Sequence, residues 1–494
     1  MIYVLIWFDV EDYFSPQSDD ADLQAAELAS RAGVPVTFKI VGEKARALER
    51  NGRHDVIQAL SRHSLGYHTD WHSRPPTLAA YLSELDWQDG ANEFERRESA
   101  GFYDVRRIFG HDPVCFGQPG SSWAPQIYPV LKKWKIPLYL DEALHVGLPT
   151  EQPFWFQGML HVFNLRRNAI KMEFGSQESF RSTCELFQSA HDRLSKLDGG
   201  LISLYYHPQE FIYRQFQDEV NFGRGVSRDS SDWRISGQRD LSEIQASYGY
   251  YEQFLKYLGG FDRVRFVDAV EVLKLYAEEE LQGNLSPEAI LDLAADIQRE
   301  VTFQQVQQSY ISAAESFEIL VKWAFCHLGL GPSTFLKTDR SLLGPESAVS
   351  SRAIEGQVAW SEFEGGIVEA ASSVEQCRRV PSAVHVGNRA ASPQDFVANL
   401  AAAIESMIRL GSRPKTIQWR SANFTVTQYA APDSPELWTW PIFPIGFHAP
   451  KLMKLASLQT WTIKPARLDP VRTKASESKF WKPKAIVEQK PVIS

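Results

Sequence analysis

The sequence predicts an α/β fold over residues 1 to about 282, followed by a mainly helical second half. Three observations carry this expectation. Strand-like and helix-like segments alternate through the first region. Each strand-like run there ends near a polar or acidic residue, and the composition shifts after about Glu280. At 494 residues the chain is too long for one ordinary domain, so two or three are expected.

Residues 2–8 form the first strand, an apolar run too short to span a bilayer that meets Asp9-Val10-Glu11-Asp12. Helical spacing over 22–32 ends at Gly33, a suitable C-cap. The β-branched run 34–42 is the second strand, and 55–62 is a short amphipathic helix before a loop carrying His68 and His72. Further strands are expected at 114–116, 137–140, 201–206 and near 264–267. Chemistry in such sheets collects at the C-terminal strand ends. Asn284-Leu285-Ser286-Pro287-Glu288 reads as a linker whose serine caps a helix reaching about Glu300, with proline at its first turn. A weak internal repeat pairs Ala294 with Ala370 and Phe317 with Phe396, a period of roughly 76 to 79 residues. Aromatic-rich strand or loop material fills 416–462. The expected division is therefore 1–282, 283–470, and a basic, extended tail over 471–494.

Hydrophobic content of 44% with 12% aromatics excludes global disorder. The net charge of −9, with no basic stripe, implies no nucleic-acid partner. Cys115, Cys184, Cys326 and Cys377 form no CxxC pair and read as core thiols. The N-terminus lacks a basic leader and no later segment reaches 18 uncharged apolar residues, so a cytoplasmic protein without a transmembrane segment is expected. Nothing in the sequence signals an oligomeric state.

His68 and His72 stand four residues apart in His68-Thr69-Asp70-Trp71-His72. Two imidazoles one helical turn apart can grip a divalent cation from one face. A carboxylate at a strand end can complete the set, and a second can serve as base for a water. The outline is that of a metal-dependent hydrolase.

Residues 1 to about 282 resemble a polysaccharide deacetylase of the NodB-homology type, in the manner of carbohydrate esterase family 4, in motif order as well as content. Phe8-Asp9-Val10-Glu11-Asp12 resembles the family's acidic motif. Gly33-Val34-Pro35-Val36-Thr37-Phe38 followed by Gly42 is similar to its second strand. His68-Thr69-Asp70-Trp71-His72 matches H-[ST]-x-x-H. Phe116-Gly117-Gln118-Pro119-Gly120-Ser121-Ser122-Trp123 is a degraded third motif, and Leu204-Tyr205-Tyr206-His207-Pro208 resembles the histidine-proline motif. The resemblance implies a distorted (β/α)7-type barrel. It also implies removal of an acyl group, usually acetyl, from an amino sugar or glycan. On this mapping His68 and His72 hold a divalent metal, Zn²⁺ as first choice, with Asp9 as base and His207 as the acid protonating the leaving amine. Strand alternation puts Asp9 and Glu11 on one face, favouring Glu11 over Asp12 as third ligand. Gln118, Pro119, Gly120 and Trp123 are candidate substrate-binding residues, with Gly120 or Ser121 offering a backbone N–H to a developing oxyanion. Asp141 is placed to orient His207. Gly117 stands where the family carries an arginine supporting the catalytic aspartate, so base tuning comes from elsewhere or activity is reduced.

Trp71 and Trp123 read equally well as core. His145, His161, His191, His385 and His448 have no partner motif, and the run from Trp438 to Pro444 reads as packing before ligand groove. Two other functions compete. One is hydrolysis of a small non-sugar amide or ureide, which a capped rather than open site would favour. The other is a catalytically weakened glycan-binding protein, since 380–387 ahead of 392–403 faintly resembles pseudomurein-binding modules.

Overall fold

Every residue of Ile2–Val10 (β1) is buried, and the central sheet is assembled around this strand. The computed structural model describes residues 1–197, 199–277, 285–331, 342–348 and 354–468. The expected boundary at 282 and the tail over 471–494 lie outside the described residues, as does Asn284. β1 reads as one apolar run, without alternation, because a parallel sheet covered on both faces buries both sides of its strands.

The other strands of the first region are Thr37–Ile40 (β2), Ser64–Tyr67 (β3), Cys115–Phe116 (β4), Leu138–Leu140 (β5), Phe154–Phe156 (β6), Met159–Val162 (β7), Ala169–Lys171 (β8), Gly200–Tyr206 (β9) and Val264–Val267 (β10). They lie in the order β6-β7-β5-β4-β3-β2-β1-β9-β8, with β10 paired to the start of β1. All these pairings are parallel except β6 with β7. The result is a curled, unclosed sheet with helices on it, the distorted α/β barrel expected, followed by a mainly helical region. Its register sets the chemistry. Val10 pairs with Ile40 and Ile40 with Tyr67, so Glu11 and His68 leave the sheet at one level. Phe8 pairs with Tyr206, which brings Asp9 beside His207.

Several local expectations shift. The first helix, Pro16–Ala32, starts earlier than residue 22, with proline in its first turn, and ends on Gly33 in the left-handed conformation (φ 69°). The second strand stops at Ile40 because Val41 becomes the N-cap of a helix, Gly42–Arg50, which the sequence reading missed. The long helix Trp87–Phe109 was also missed. Its buried residues Phe94, Glu98, Phe102, Val105 and Phe109 recur at three and four. His68 and His72 lie in a loop after β3, as expected, with Thr69 (φ 64°) and His72 (φ 52°) left-handed.

The second half forms its own core. Two helix–hairpin–helix units repeat within it, Pro287–Arg299 with Ala313–His327 and Trp360–Cys377 with Pro393–Leu410. Ser312 and Ser392 hold the same N-cap position, a period one residue longer than the pairing of Phe317 with Phe396 implies. The first helix of each unit packs on the second helix of the other. The chain then returns: Leu437, Trp438, Phe443, Leu452 and Met453 join the core of the first region, and a strand at Lys464–Pro465 pairs antiparallel with β6. The region expected as strand or loop also holds a helix, Pro450–Gln459. Lys464 Nζ sits 2.8 Å from both oxygens of Glu315, a buried ion pair between the two cores. All four cysteines are free, and no helix among the described residues is long and apolar enough to cross a membrane.

Behind the site, Lys44 Nζ lies 2.6 Å from Asp19 and 2.9 Å from Asp22 and donates to the Asp12 carbonyl oxygen at 2.8 Å, fixing the turn after Glu11. Burial raises Asp12 to about 6 and Asp22 to about 7, with Lys44 pulling both down. Against an unfolded value of about 3.9, these folded carboxyls bind extra protons, so their contribution to stability falls as pH rises from about 4 to about 7. Lys44→Met steepens that fall. Urea unfolding at two pH values is expected to show a loss of about 3–5 kcal/mol at pH 8 and a smaller loss at pH 5.

Candidate active site

Glu11, His68 and His72 are all buried and converge at the C-terminal edge of the sheet. The two imidazole Nε2 atoms are 3.1 Å apart, and Glu11 Oε2 lies 3.0 Å from that of His72 and 3.7 Å from that of His68. Each remaining ring nitrogen is occupied. His68 Nδ1 meets the Gly117 carbonyl oxygen at 3.0 Å, so it carries the proton and leaves Nε2 bare. His72 Nδ1 meets Ser73 Oγ at 2.5 Å, and that hydroxyl donates to Asp218 Oδ2 at 2.6 Å. Glu11 Oε1 accepts from Gln209 at 2.8 Å. Donor separations of 3.0–3.7 Å suit atoms sharing one ion at about 2.0–2.2 Å, and oriented imidazoles with a carboxylate are a fitting set for a divalent cation.

Asp9 and Glu11 do face the same cavity, as alternation predicts. Asp12 turns away, its two oxygens accepting from the Phe14 N–H at 2.9 Å and the Ser15 hydroxyl at 3.1 Å. Asp9 Oδ1 is 3.7 Å from His68 Nε2, and Asp9 Oδ2 is 3.7 Å from His207 Nε2. Burial drives His68 well below its ordinary value, and the Lys39 charge adds to this. Burial also pulls on His72 and His207, but neighbouring carboxylates outweigh it. Glu11 and Asp218 raise His72 to about 10, while Glu11, Glu210 and Asp9 raise His207 to about 9.

Asp141 does not orient His207, contrary to the expectation. His207 Nδ1 pairs with Glu210 at 2.7 Å, three residues along the same turn. Asp141 instead holds Lys39 at 2.5 Å, and the same ammonium reaches Asp9 Oδ1 at 3.0 Å across the β1–β2 pairing. Lys39 is fully buried and lies over the Trp7 ring at 4.1 Å. A Cβ on Gly117 would fall 2.2 Å from Lys39 Nζ and 2.3 Å from Asp141. The cation supporting Asp9 therefore comes from β2, and it fills the space that a side chain at 117 would need.

The degraded third motif divides. Gly120 lines the cavity. Gln118 is buried, accepting from the Tyr139 hydroxyl at 2.7 Å and donating to the Gly120 carbonyl at 3.0 Å, so it shapes the turn without facing the cavity. Pro119 lines a neighbouring groove with Trp71 and Arg74. Trp123 is core, not a sugar platform: it is fully buried, donates to Tyr128 at 3.1 Å and stacks on His145. The sequence reading missed Lys39, Ser73, Glu210, Asp218 and the cavity walls Tyr205 and Phe216, and it took the run holding the walls Trp440 and Ile442 as packing before ligand groove. The only local signals were a lysine within a β-branched strand and the aromatic run near Trp440, which packs and also walls the site. The cavity measures about 400 Å³.

No family model matches this chain, and no curated protein matches its sequence. Among solved structures it is similar to a probable polysaccharide deacetylase from Pseudomonas aeruginosa PAO1, at 13% identity over 55% of this chain and 90% of that one (TM-score 0.35). It is similar to the Xyl-CE4 domain of a xylanase from the hindgut metagenome of Trinervitermes trinervoides, at 12% over 56% and 92% (TM-score 0.31). Puue allantoinase is similar at 12% over 55% and 89% (TM-score 0.36). These likenesses are distant, and the roles assigned to residues below rest on the geometry of the site.

Gly117→Ala is expected to destabilise the fold by about 1–3 kcal/mol through overpacking against Lys39 and Asp141, read as a lowered midpoint in chemical unfolding. An unchanged midpoint would mean that the Lys39–Asp141 pair is free to move.

Proposed function

We propose that this protein is a metal-dependent hydrolase that removes an acyl group, acetyl in the first instance, from the nitrogen of an amino sugar. The observation supporting this most directly is that Glu11, His68 and His72 share one cavity with Asp9 and His207, two groups suited to move protons. A divalent cation held by Glu11, His68 and His72, with Zn²⁺ the first choice, would polarise the acyl carbonyl and acidify a water there. Asp9 accepts the proton of the attacking water. Lys39 holds that carboxylate in place and balances its charge in a buried setting. His207, kept protonated by its neighbouring carboxylates, donates to the departing nitrogen, and Glu210 fixes its ring. Asp218 and Ser73 aim His72. Gly120 brings backbone to the cavity wall where the oxyanion develops. The catalytic unit combines the first region with residues 430–468, and the helical repeats carry the chain between them.

A second reading, hydrolysis of a small non-sugar amide, is favoured by one observation: Trp440, Pro441 and Ile442 wall the cavity. The weakened-binder reading draws on Gly117, and the buried Lys39 beside Asp9 speaks for the hydrolase over it.

Purified protein is expected to carry one divalent ion per chain by elemental analysis and to release acetate from N-acetylglucosamine. Chelator and His72→Ala abolish the release. Failure of metal-loaded protein to release acetate from any amide or ester would sink the proposal. Asp9→Asn should keep the metal yet lose about 10²–10⁴ in rate. Asp218→Asn should weaken metal affinity about 10–100-fold. Activity should fall on the alkaline side as His207 loses its proton, with Glu210 and Asp9 holding that limb up in the metal-loaded protein. Glu210→Gln removes a carboxylate that raises His207, so the alkaline limb moves to lower pH.

A further inference from the structure

Resting on that reading, we infer that the cavity accepts a single N-acylated sugar, free or at the end of a chain, and excludes the interior residues of a polymer. The C-terminal strap at Trp440, Pro441 and Ile442 is the element that sets this limit.

The strap is pinned on both sides. The N–H groups of Arg224 and Gly225 donate to the carbonyls of Pro441 and Ile442, each at 2.8 Å, and Phe443 N–H closes a turn onto the Trp440 carbonyl at 3.0 Å. Ile442 and Phe443 are buried at 1% and 5% exposure, and the Trp438 indole donates to Asp433 at 2.7 Å. On the other flank the Trp440 ring lies directly on Gly120: a Cβ there would meet indole carbons at 2.4–2.5 Å, and Gly120 already has φ 49°. Trp440 also packs edge-on to His72, with ring centroids 5.6 Å apart. The strap thus joins the turn after β4 to the segment at Gly223–Gly225 and walls the cavity beside the metal-ligand residues.

The remaining walls suit one ring. Tyr205 and Phe216 line the cavity and offer aromatic rings to the apolar side of a sugar, Tyr205 backed by buried Trp7 at 4.9 Å, while Glu142 and Lys171 offer polar groups to its hydroxyls. A volume of about 400 Å³ lies near the lower end of the roughly 300–1,000 Å³ usual for small-molecule pockets. An interior residue of a polymer needs room for the chain on two sides, and Trp440, Pro441 and Ile442 take up part of the cavity wall that such a chain would have to pass.

The test compares N-acetylglucosamine with its β-1,4-linked tetramer on metal-loaded wild type and Trp440→Ala, with Trp440→Leu as the milder variant should the first fail to fold. Turnover, the position of each lost acetyl by mass spectrometry, and calorimetric binding are read together. Wild type is expected to turn over the monomer and to take no more than one acetyl from the tetramer, at a chain end. Removing the indole should raise tetramer affinity at least tenfold and expose interior acetyls. Interior deacetylation by wild type, or equal tetramer binding by wild type and both variants, overturns the size limit while leaving the hydrolase reading intact. Size-selective binding relieved in the variants, with no acetate released, supports the size limit and overturns deacetylation of these sugars. Absence of binding by either sugar overturns the sugar assignment itself.

Discussion

Burying the Asp9 and Asp141 carboxylates side by side requires a cation between them, and Lys39 provides it. Its ammonium sits between Asp9 and Asp141 with no exposure to water, on the strand paired with Asp9. Lys39 holds Asp9 in place beside Glu11, His68 and His207. Gly117 is small for the same reason, since any side chain there would displace the ammonium.

The sheet supplies the rest of the positioning. Parallel strands end at one edge, and the register of β1, β2, β3 and β9 brings residues far apart in sequence to a common level. The orientation of each group then depends on partners behind it: the Gly117 carbonyl for His68, Ser73 and Asp218 for His72, Glu210 for His207, and Lys44 for the turn at Asp12. The strap carrying Trp440 depends in turn on the second half of the molecule. The chain leaves the barrel, builds the duplicated helical unit, and returns to pair with β6 and wall the site.

Much of the site was legible because strand ends and motif spacing are local properties. Asp9 lies near the end of β1, Glu11, His68 and His207 each follow directly from a strand, His72 lies in the loop after β3, and the structure gathers all five. The loop carrying His68 and His72 was legible, but not the left-handed Thr69 and His72 that bring the two rings together. Trp123 and Gln118 misled because their motif context outranked a fact invisible in sequence, that their side chains turn into the core. Asp141 sat at a strand end as expected, yet its partner lay on β2, 102 residues earlier.

By itself, the sequence determined the α/β alternation, the run-on strand into an acidic cluster, the capped helices of the repeat and the imidazole pair, all properties of residues within about one element of each other. Only the tertiary structure decided which cation supports Asp9, which carboxylate holds His207, and what walls the cavity. Those outcomes depend on contacts between elements separated by the length of a domain, where register and packing choose among several chemically suitable partners.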